Sequence, residues 1–512
     1  MDTTTAASLL PLFVAVPLIT SAVAALAKSK LVHDFLGLLI PAVNLAGGIW
    51  LYWYTSTHGT IAHVIGLYQG GAGISFAADE FSAIMIIFTM LIALVSNWFA
   101  AVAGETQERF YTALTLVLIT GVSGALLTAD LFNFFVMIEV MLLPSYGLIA
   151  MTGTRDRLAS ARTFVLVNLA ASTLLLLGVG YIYGVTGAVN IASLAGAAAG
   201  GGQVTVAVGI IMIAIAAKAG VFPLHTWLPR TYPSTSAAVM GLFSGLHTKV
   251  AVYMLFRIYV VIFDLESRWE WLIIVIMVIS MLIGAFAGLA ENSIRRVLSY
   301  QMVNGMPFIL IMLAFVADNP RYALAGGLMY TLHHMVTVGS LVLNSGAIEE
   351  TYGTGTINKL AGLMRRDPMT SAIFAAGAFS VVGFPPFSGL WGKLTIVFAA
   401  AQPGDARSWV VITAIIVASF GALLAMMRVW REVFWGKPMQ RFPADLRVRT
   451  SLWLPSAALM VVSLVMFFGA GFLWQSVLTS VDGLLDVDSY VQAVLGDDAI
   501  GIPDVAELQG GN

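Results

Sequence analysis

Cysteine is absent from all 512 residues, which removes disulfides, thiolate metal sites, iron–sulfur ligation and covalent haem attachment together. Charge is scarce as well: Asp, Glu, Lys and Arg make up 10% of the chain, against roughly 25% in soluble domains. No GxGxxG or Walker sequence opens a helix after a strand, so neither dinucleotide nor ATP binding is signalled. No histidine pair has HExxH spacing, so no zinc site is expected, and no cofactor is indicated. A long polar block is missing too, and the chain reads as one membrane domain. The net charge of −2 is silent about partners.

What is present is apolar: 59% of the residues, with 49 glycines and a mean hydropathy of +0.90. Runs of about 20 apolar residues, the length that crosses a bilayer, recur from Ala6 to Trp474. An all-α integral membrane protein is expected. Its fourteen spans fall near 6–27, 35–54, 81–101, 110–128, 131–151, 160–183, 204–223, 236–262, 269–289, 295–317, 322–344, 370–401, 409–429 and 450–474. The first stretch has no basic residue before it, and Lys28 and Lys30 follow it, so it reads as a retained span and not a cleaved signal.

The basic residues sort by side. Of the 25 Lys and Arg, eighteen fall at loops joining an odd span to the next even one. Arg268, Arg321 and Arg407 fall on the opposite side, and Lys218, Lys249, Arg257 and Lys393 within spans. By the positive-inside rule both termini then face outward. Two spans are interrupted, one by Lys218-Ala-Gly-Val-Phe-Pro223 and one by Gly383-Phe-Pro-Pro-Phe-Ser-Gly389; Gly220, Pro223, Gly383, Pro385 and Pro386 are the breaking residues. The interruptions lie five spans apart, each fourth in a set of five. Five is odd, so the two sets would be inverted repeats, a layout that points to an ion site near the midplane.

The chain divides accordingly into an N-terminal three-helix segment (1–103), a first repeat (104–263), an inverted second repeat (264–430), a cytoplasmic connector (431–449), a last span (450–474) and an acidic external tail (475–512). The connector reads as solvated surface. The tail, with Asp482, Asp486, Asp488, Asp497, Asp498, Asp504 and Glu507, reads as a frayed terminus, and for both segments docking to a neighbouring subunit is the alternative.

An ionisable group at mid-span costs about 2.5–3.5 kcal/mol on insertion scales, so each needs a partner, water or a task. Glu139, in LFNFFVMIEVMLLPSYG, is the one acid well inside a span. Lys218 sits just before the first break. Burial favours loss of its proton and a nearby carboxylate favours retention, so a Glu139–Lys218 pair would hold or release a proton with their separation. Lys249, near mid-span, and Lys393, four residues past Gly389 of the second break, would be further stations, with no acid in the membrane left to pair with; water or histidine must solvate them. The remaining candidates are histidines, His225 just after the first break, His247, and His333 and His334 at the middle of the 322–344 span, and imidazole accepts at one nitrogen while donating at the other. Adjacent helical residues point about 100° apart, so only one of His333 and His334 need face the path. Arg257, nearer the outer end of its span, is expected to snorkel.

IEVMLLPSYG around Glu139, KAGVFPLHTWLP from Lys218, Thr248-Lys-Val250, ENSIRRVLSYQ and GFPPFSGLWGK ending at Lys393 together resemble the antiporter-like family shared by the large Mrp cation/proton antiporter subunits and the proton-pumping membrane subunits of respiratory complex I. After the first break this chain has HTWLPRTYPSTS, with Arg230, Tyr232 and Ser234, where the complex I type has HTWLPDAHPEAP. Its length and opening also resemble the D type among the Mrp subunits. The resemblance implies proton movement through Glu139, Lys218, Lys249 and Lys393, coupled to export of Na⁺ or another monovalent cation, within a complex of other Mrp subunits in a bacterial plasma membrane. It implies no enzymatic chemistry and no nucleic acid. The alternatives are a pumping subunit of a complex I-like oxidoreductase and an inert scaffold. Two positions depart from the family pattern: Gly305 stands where relatives often have histidine, and Val338 where D-type relatives often have lysine. The passage from Lys249 to Lys393 must therefore use His333, His334 or water.

Overall fold

The computed structural model describes residues 2–66, 68, 70–437, 439–443 and 445–496. The helices of nine residues or more are α1 Leu12–Leu26, α2 Lys30–His58, α3 Glu80–Ala103, α4 Tyr111–Leu127, α5 Leu131–Ala150, α6 Arg155–Thr186, α7 Gln203–Ala219, α8 Ala237–Gly245, α9 His247–Val261, α10 Glu270–Ala287, α11 Ile294–Leu310, α12 Pro320–Tyr352, α13 Pro368–Val382, α14 Gly389–Ala401, α15 Ala406–Val429, α16 Thr450–Phe468, α17 Ala470–Leu485 and α18 Val487–Leu495. A two-stranded antiparallel ribbon, β1 Ile61–Val64 and β2 Ser75–Ala78, sits between α2 and α3 and pairs Ile61 with Ala78.

The helix starts are written locally. Asp79 and Ser82 form a capping box at α3, Asp130 accepts from the Asn133 amide at α5 (2.7 Å), and Asn319 with Pro320 opens α12. Helices cover all the expected spans, and among the described residues ten are long and apolar enough to cross a membrane, which makes the chain an integral membrane protein. The others differ in instructive ways. The 110–128 and 204–223 spans become helices of 17 residues, and the 370–401 span becomes the two short helices α13 and α14. The 322–344 span becomes α12, 33 residues long but rich in polar side chains.

Those polar side chains are inside. Every residue of α12 from Ala323 to Ile348 is buried, and the helix packs against α3, α8, α11, α13, α14, α16 and α17. The α8–α9 pair is buried throughout as well. Apolar residues such as Leu177, Phe398 and Phe472 point outward at the periphery, as a lipid solvent requires. The polarity gradient of a soluble protein is thus inverted: hydroxyls, amides and charges collect at the centre.

Both interruptions are real chain breaks. The α7 helix ends at Ala219 and α13 at Val382, each followed by a left-handed glycine, Gly220 (φ +74°) and Gly383 (φ +101°), a conformation that a Cβ disfavours. Each break also holds a cis X–Pro bond, at Pro223 and Pro386. A third irregularity, unmarked by proline, falls at Leu246 (φ −109°, ψ −61°) between α8 and α9, three residues before Lys249.

Two expectations fail. Arg257 does not snorkel: its guanidinium pairs with Asp79 at 2.6 Å, both side chains nearly free of solvent, and faces the rings of Phe81, Tyr253 and Tyr490. The carboxylate at the α3 cap and the ring from α18 make an interior site preferable to the surface. The described part of the tail is not frayed either. The α17 and α18 helices fold back, Arg321 bonds Asp482 through Nε (2.6 Å) and a terminal nitrogen (2.8 Å), and Tyr490 is buried. Asp497, Asp498, Asp504 and Glu507 lie outside the described residues. In the connector, the Val448 amide donates to Asp367 (2.8 Å) and Arg366 to the Phe442 carbonyl (3.4 Å), so its far end is tied to the start of α13.

Candidate functional site

Glu139 extends from α5 and is half-buried, while Lys218, one residue before the end of α7, is buried. They are joined through a third residue. The Ser172 hydroxyl on α6 donates to Glu139 Oε1, and Lys218 Nζ donates to Ser172 Oγ at 2.8 Å. No direct ion pair links the two charges among those of the described residues. A single hydroxyl, which can accept from one side while donating to the other, separates them. Lys218 also lies in the last turn of its helix, where the carbonyl ends favour a cation. One of those carbonyls, Ala217, is occupied by Trp227 Nε1 (3.1 Å).

Beyond Lys218 lies a small cavity bounded in part by Asn168, Trp227 and His247, with room for about one water. His247, at the start of α9, accepts or donates at both ring nitrogens: Nε2 lies 2.9 Å from Ser145 Oγ and Nδ1 3.3 Å from Tyr232 Oη. Its ring stacks on Phe243 with centroids 4.3 Å apart. Two residues on, Lys249 is fully enclosed. Its ammonium contacts His334 Nδ1 (3.0 Å), Thr248 Oγ1 (3.2 Å) and Met306 Sδ (3.3 Å). Imidazole does solvate this lysine, and His334 rather than His333 supplies it. His334 Nε2 faces the Gln301 carbonyl at 3.5 Å.

The His334 ring rests against Gly305, in the space that a side chain at 305 would enter. His333, turned about a third of a helical turn away, belongs to a different cluster. Its Nδ1 meets Ser388 Oγ (2.9 Å) and Thr337 Oγ1 (3.2 Å), and Ser388 continues to Ser463 at 2.8 Å. Ser388 immediately precedes α14, four residues of which lead to Lys393. Lys393 Nζ donates to Ser419 Oγ (2.7 Å) and to the Val382 carbonyl (2.9 Å), and lies over the Phe308 ring at 5.1 Å. The expectation of water or histidine here gives way to a carbonyl that the second break itself frees, because α13 ends at Val382.

His225 is the one expected residue that falls apart from the rest: its ring packs beside Phe222, and Nδ1 is buried without a hydrogen-bond partner among the described residues. Conversely, Ser145, Ser172, Thr337, Ser388 and Ser419 join the site although sequence reasoning passed over them. Ser388 stands in the second break, and the other four are hydroxyls within helices. That signal is weak, since such hydroxyls commonly bond their own helix, as Thr120 does to the Leu116 carbonyl (3.0 Å).

Among proteins of known identity, residues 128–424 match the family described as NADH:quinone oxidoreductase/Mrp antiporter, TM. The D-type subunit of the Na(+)/H(+) antiporter of Alkalihalophilus pseudofirmus is 31% identical over 466 residues, covering 90% of this chain and 92% of that one. The Bacillus subtilis protein of the same name is 31% identical, covering 84% and 87%. Among solved structures, a chain of the Mrp complex from Dietzia sp. superposes with a TM-score of 0.92 at 38% identity, over 96% of this chain and 99% of that one. A chain of the Thermus thermophilus respiratory complex I shares the fold alone, with a TM-score of 0.78 at 21% identity, over 93% of this chain and 99% of that one. On this match, the chain belongs to the NADH:quinone oxidoreductase/Mrp antiporter membrane family, and its named relatives are D-type antiporter subunits.

Proposed function

We propose that this chain is the proton-translocating subunit of a multisubunit Mrp-type Na⁺/H⁺ antiporter, a secondary transporter that forms and breaks no covalent bonds in its substrate. It works in a bacterial plasma membrane beside other Mrp subunits, with both termini outside. Its fourteen crossings comprise a three-helix segment (1–103), a repeat at 104–263 and an inverted repeat at 264–430, then the connector 431–449, the last crossing 450–474 and the external tail 475–512. The left-handed glycines at matched places in the two interrupted helices support the repeat.

The observation that carries the reading is the Glu139–Ser172–Lys218 bridge beside a helix break, with the lysine buried and the carboxylate half-buried in an apolar chain. Glu139 and Lys218 form the switch: the carboxylate holds the proton on the lysine through the serine, and weakening that contact releases it towards the cavity and His247. Lys249 and His334 join the two repeats, and Lys393, fed past His333 and Ser388, stands near the exit. His225 lies beside the first break as an accessory group. Export of Na⁺ or a similar cation draws on this proton flow.

A complex I-like pumping subunit is the other reading, and the 38% identity to the Mrp chain against 21% to the complex I chain favours the antiporter. The test is Na⁺-dependent proton exchange in vesicles containing the whole complex. Glu139→Ala and Lys218→Ala are each expected to abolish it with the complex still assembled. Unchanged exchange in either would remove that residue from the path.

A further inference from the structure

Gly305 lies in the interior of α11, where glycine is disfavoured relative to alanine, and its backbone does not need glycine, since it is absent from the residues with positive φ. Its neighbourhood supplies a different reason. A Cβ at 305 would fall 2.0 Å from both Cδ2 and Nε2 of His334 and 3.1 Å from its Cε1. The obstacle is therefore one ring, reached edge-on, and no backbone atom is among those nearest atoms. Gly284, on the facing helix, is a contrast: a Cβ there would meet the Asn304 backbone, so that glycine serves helix packing.

The same ring touches Lys249. With Nδ1 3.0 Å from Nζ and Nε2 directed at the Gln301 carbonyl, the neutral imidazole carries its hydrogen on Nε2 and offers Nδ1 to the ammonium. Among the described residues Lys249 bonds no carboxylate, its side chain is fully buried, and its other contacts are one hydroxyl and one thioether. Displacing His334 would remove the base that it touches there.

We propose that Gly305 is a positioning residue: its missing side chain is the seat that holds the His334 imidazole against Lys249, and filling the seat uncouples the first half of the path from the second. This rests on the reading of His334 as a carrier in proton exchange. In the seated state the proton passes from Lys249 Nζ to His334 Nδ1, leaving a neutral amine and an imidazolium whose Nε2 hydrogen stays directed at the Gln301 carbonyl. With a methyl at 305, both nitrogens cannot keep these places at once.

The test uses the whole complex in vesicles, with Gly305→Ala, His334→Ala and the double variant. Gly305→Ala is expected to lower Na⁺-dependent proton exchange by about tenfold or more, with a pH profile that matches His334→Ala and differs from the unaltered protein. The double variant should be no slower than either single one. If Gly305→Ala impairs assembly, removing the ring in the double variant should restore assembly while exchange stays low. Gly305→Ala with unaltered rate and profile beside a slow His334→Ala would overturn the positioning role, as would a double variant that fails to regain assembly. An unaltered His334→Ala would instead sink the relay reading underneath it.

Discussion

Ser172 gives the sharpest perturbation, because one oxygen mediates the contact between the two charges of the proposed switch. Ser172→Ala deletes two hydrogen bonds, one donated to Glu139 and one accepted from Lys218 at 2.8 Å. A net bond to a charged group is worth about 1.5–3 kcal/mol. The helix itself loses nothing, since alanine is the better helix former, but the two lost bonds should lower the unfolding midpoint while the complex still assembles. The larger effect falls on proton transfer. With the bridge gone, the charges must find each other through water or a shift of the lysine stem. If about 2 kcal/mol of that bridging enters the barrier, exchange slows roughly 30-fold at 1.36 kcal/mol per decade. Ser172→Thr retains the hydroxyl and should recover most of the rate. The assay is the initial rate of Na⁺-driven proton movement in vesicles at matched complex content. An alanine variant within about twofold of the unaltered rate would refute the bridge and leave Glu139 and Lys218 to act independently.

Two other places yield tests. Arg257→Met leaves Asp79 buried without its cation and should cost about 3–5 kcal/mol, seen as a lowered unfolding midpoint in detergent, whereas adding Asp79→Asn should recover much of it; a single variant as stable as the parent would contradict the interior pair. Glu105, in the turn between α3 and α4, has its carboxyl group enclosed and bonded to Ser236 Oγ at 2.5 Å, with Arg157, Arg295 and Glu350 around it. Burial, partly opposed by the Ser236 bond, pushes its pKa from 4.5 up to about 7. A raised value means the folded protein holds the proton more tightly, so this stabilisation is full below 4.5 and lost as pH rises through about 7; the shift corresponds to about 3 kcal/mol. Glu105→Gln, which stays neutral, should therefore match the unaltered protein near pH 4 and be more stable than it near pH 9, as read from unfolding midpoints at both. Equal pH dependence in the two proteins would dismiss the buried carboxyl.

Much of this molecule is legible in one dimension because the solvent is a bilayer. A span must satisfy its own backbone and show an apolar face, so crossings announce themselves by composition, and Glu139, Lys218, Lys249 and Lys393 stand out by costing free energy where they are. Gly220 and Gly383 mark the breaks for a local reason too, since a left-handed residue and an interrupted ladder are properties of neighbouring residues. The α12 helix shows where this legibility thins: its polar content makes it a poor lipid-facing span, and only its central position explains why it is nonetheless long and helical.

The partners of each charge were decided by tertiary structure. Ser172 reaches Lys218 from 46 residues away and His334 reaches Lys249 from 85, and nothing in either local sequence sets those distances. Arg257 turned inward because Asp79, at the cap of another helix, and Tyr490, near the far end of the described chain, met it there. The sequence by itself determined that charges would lie in the membrane and that two helices would break beside them, since solvation and backbone geometry act locally. Which hydroxyl or imidazole each charge would hold depended on helix packing, where a single absent Cβ at Gly305 admits a ring.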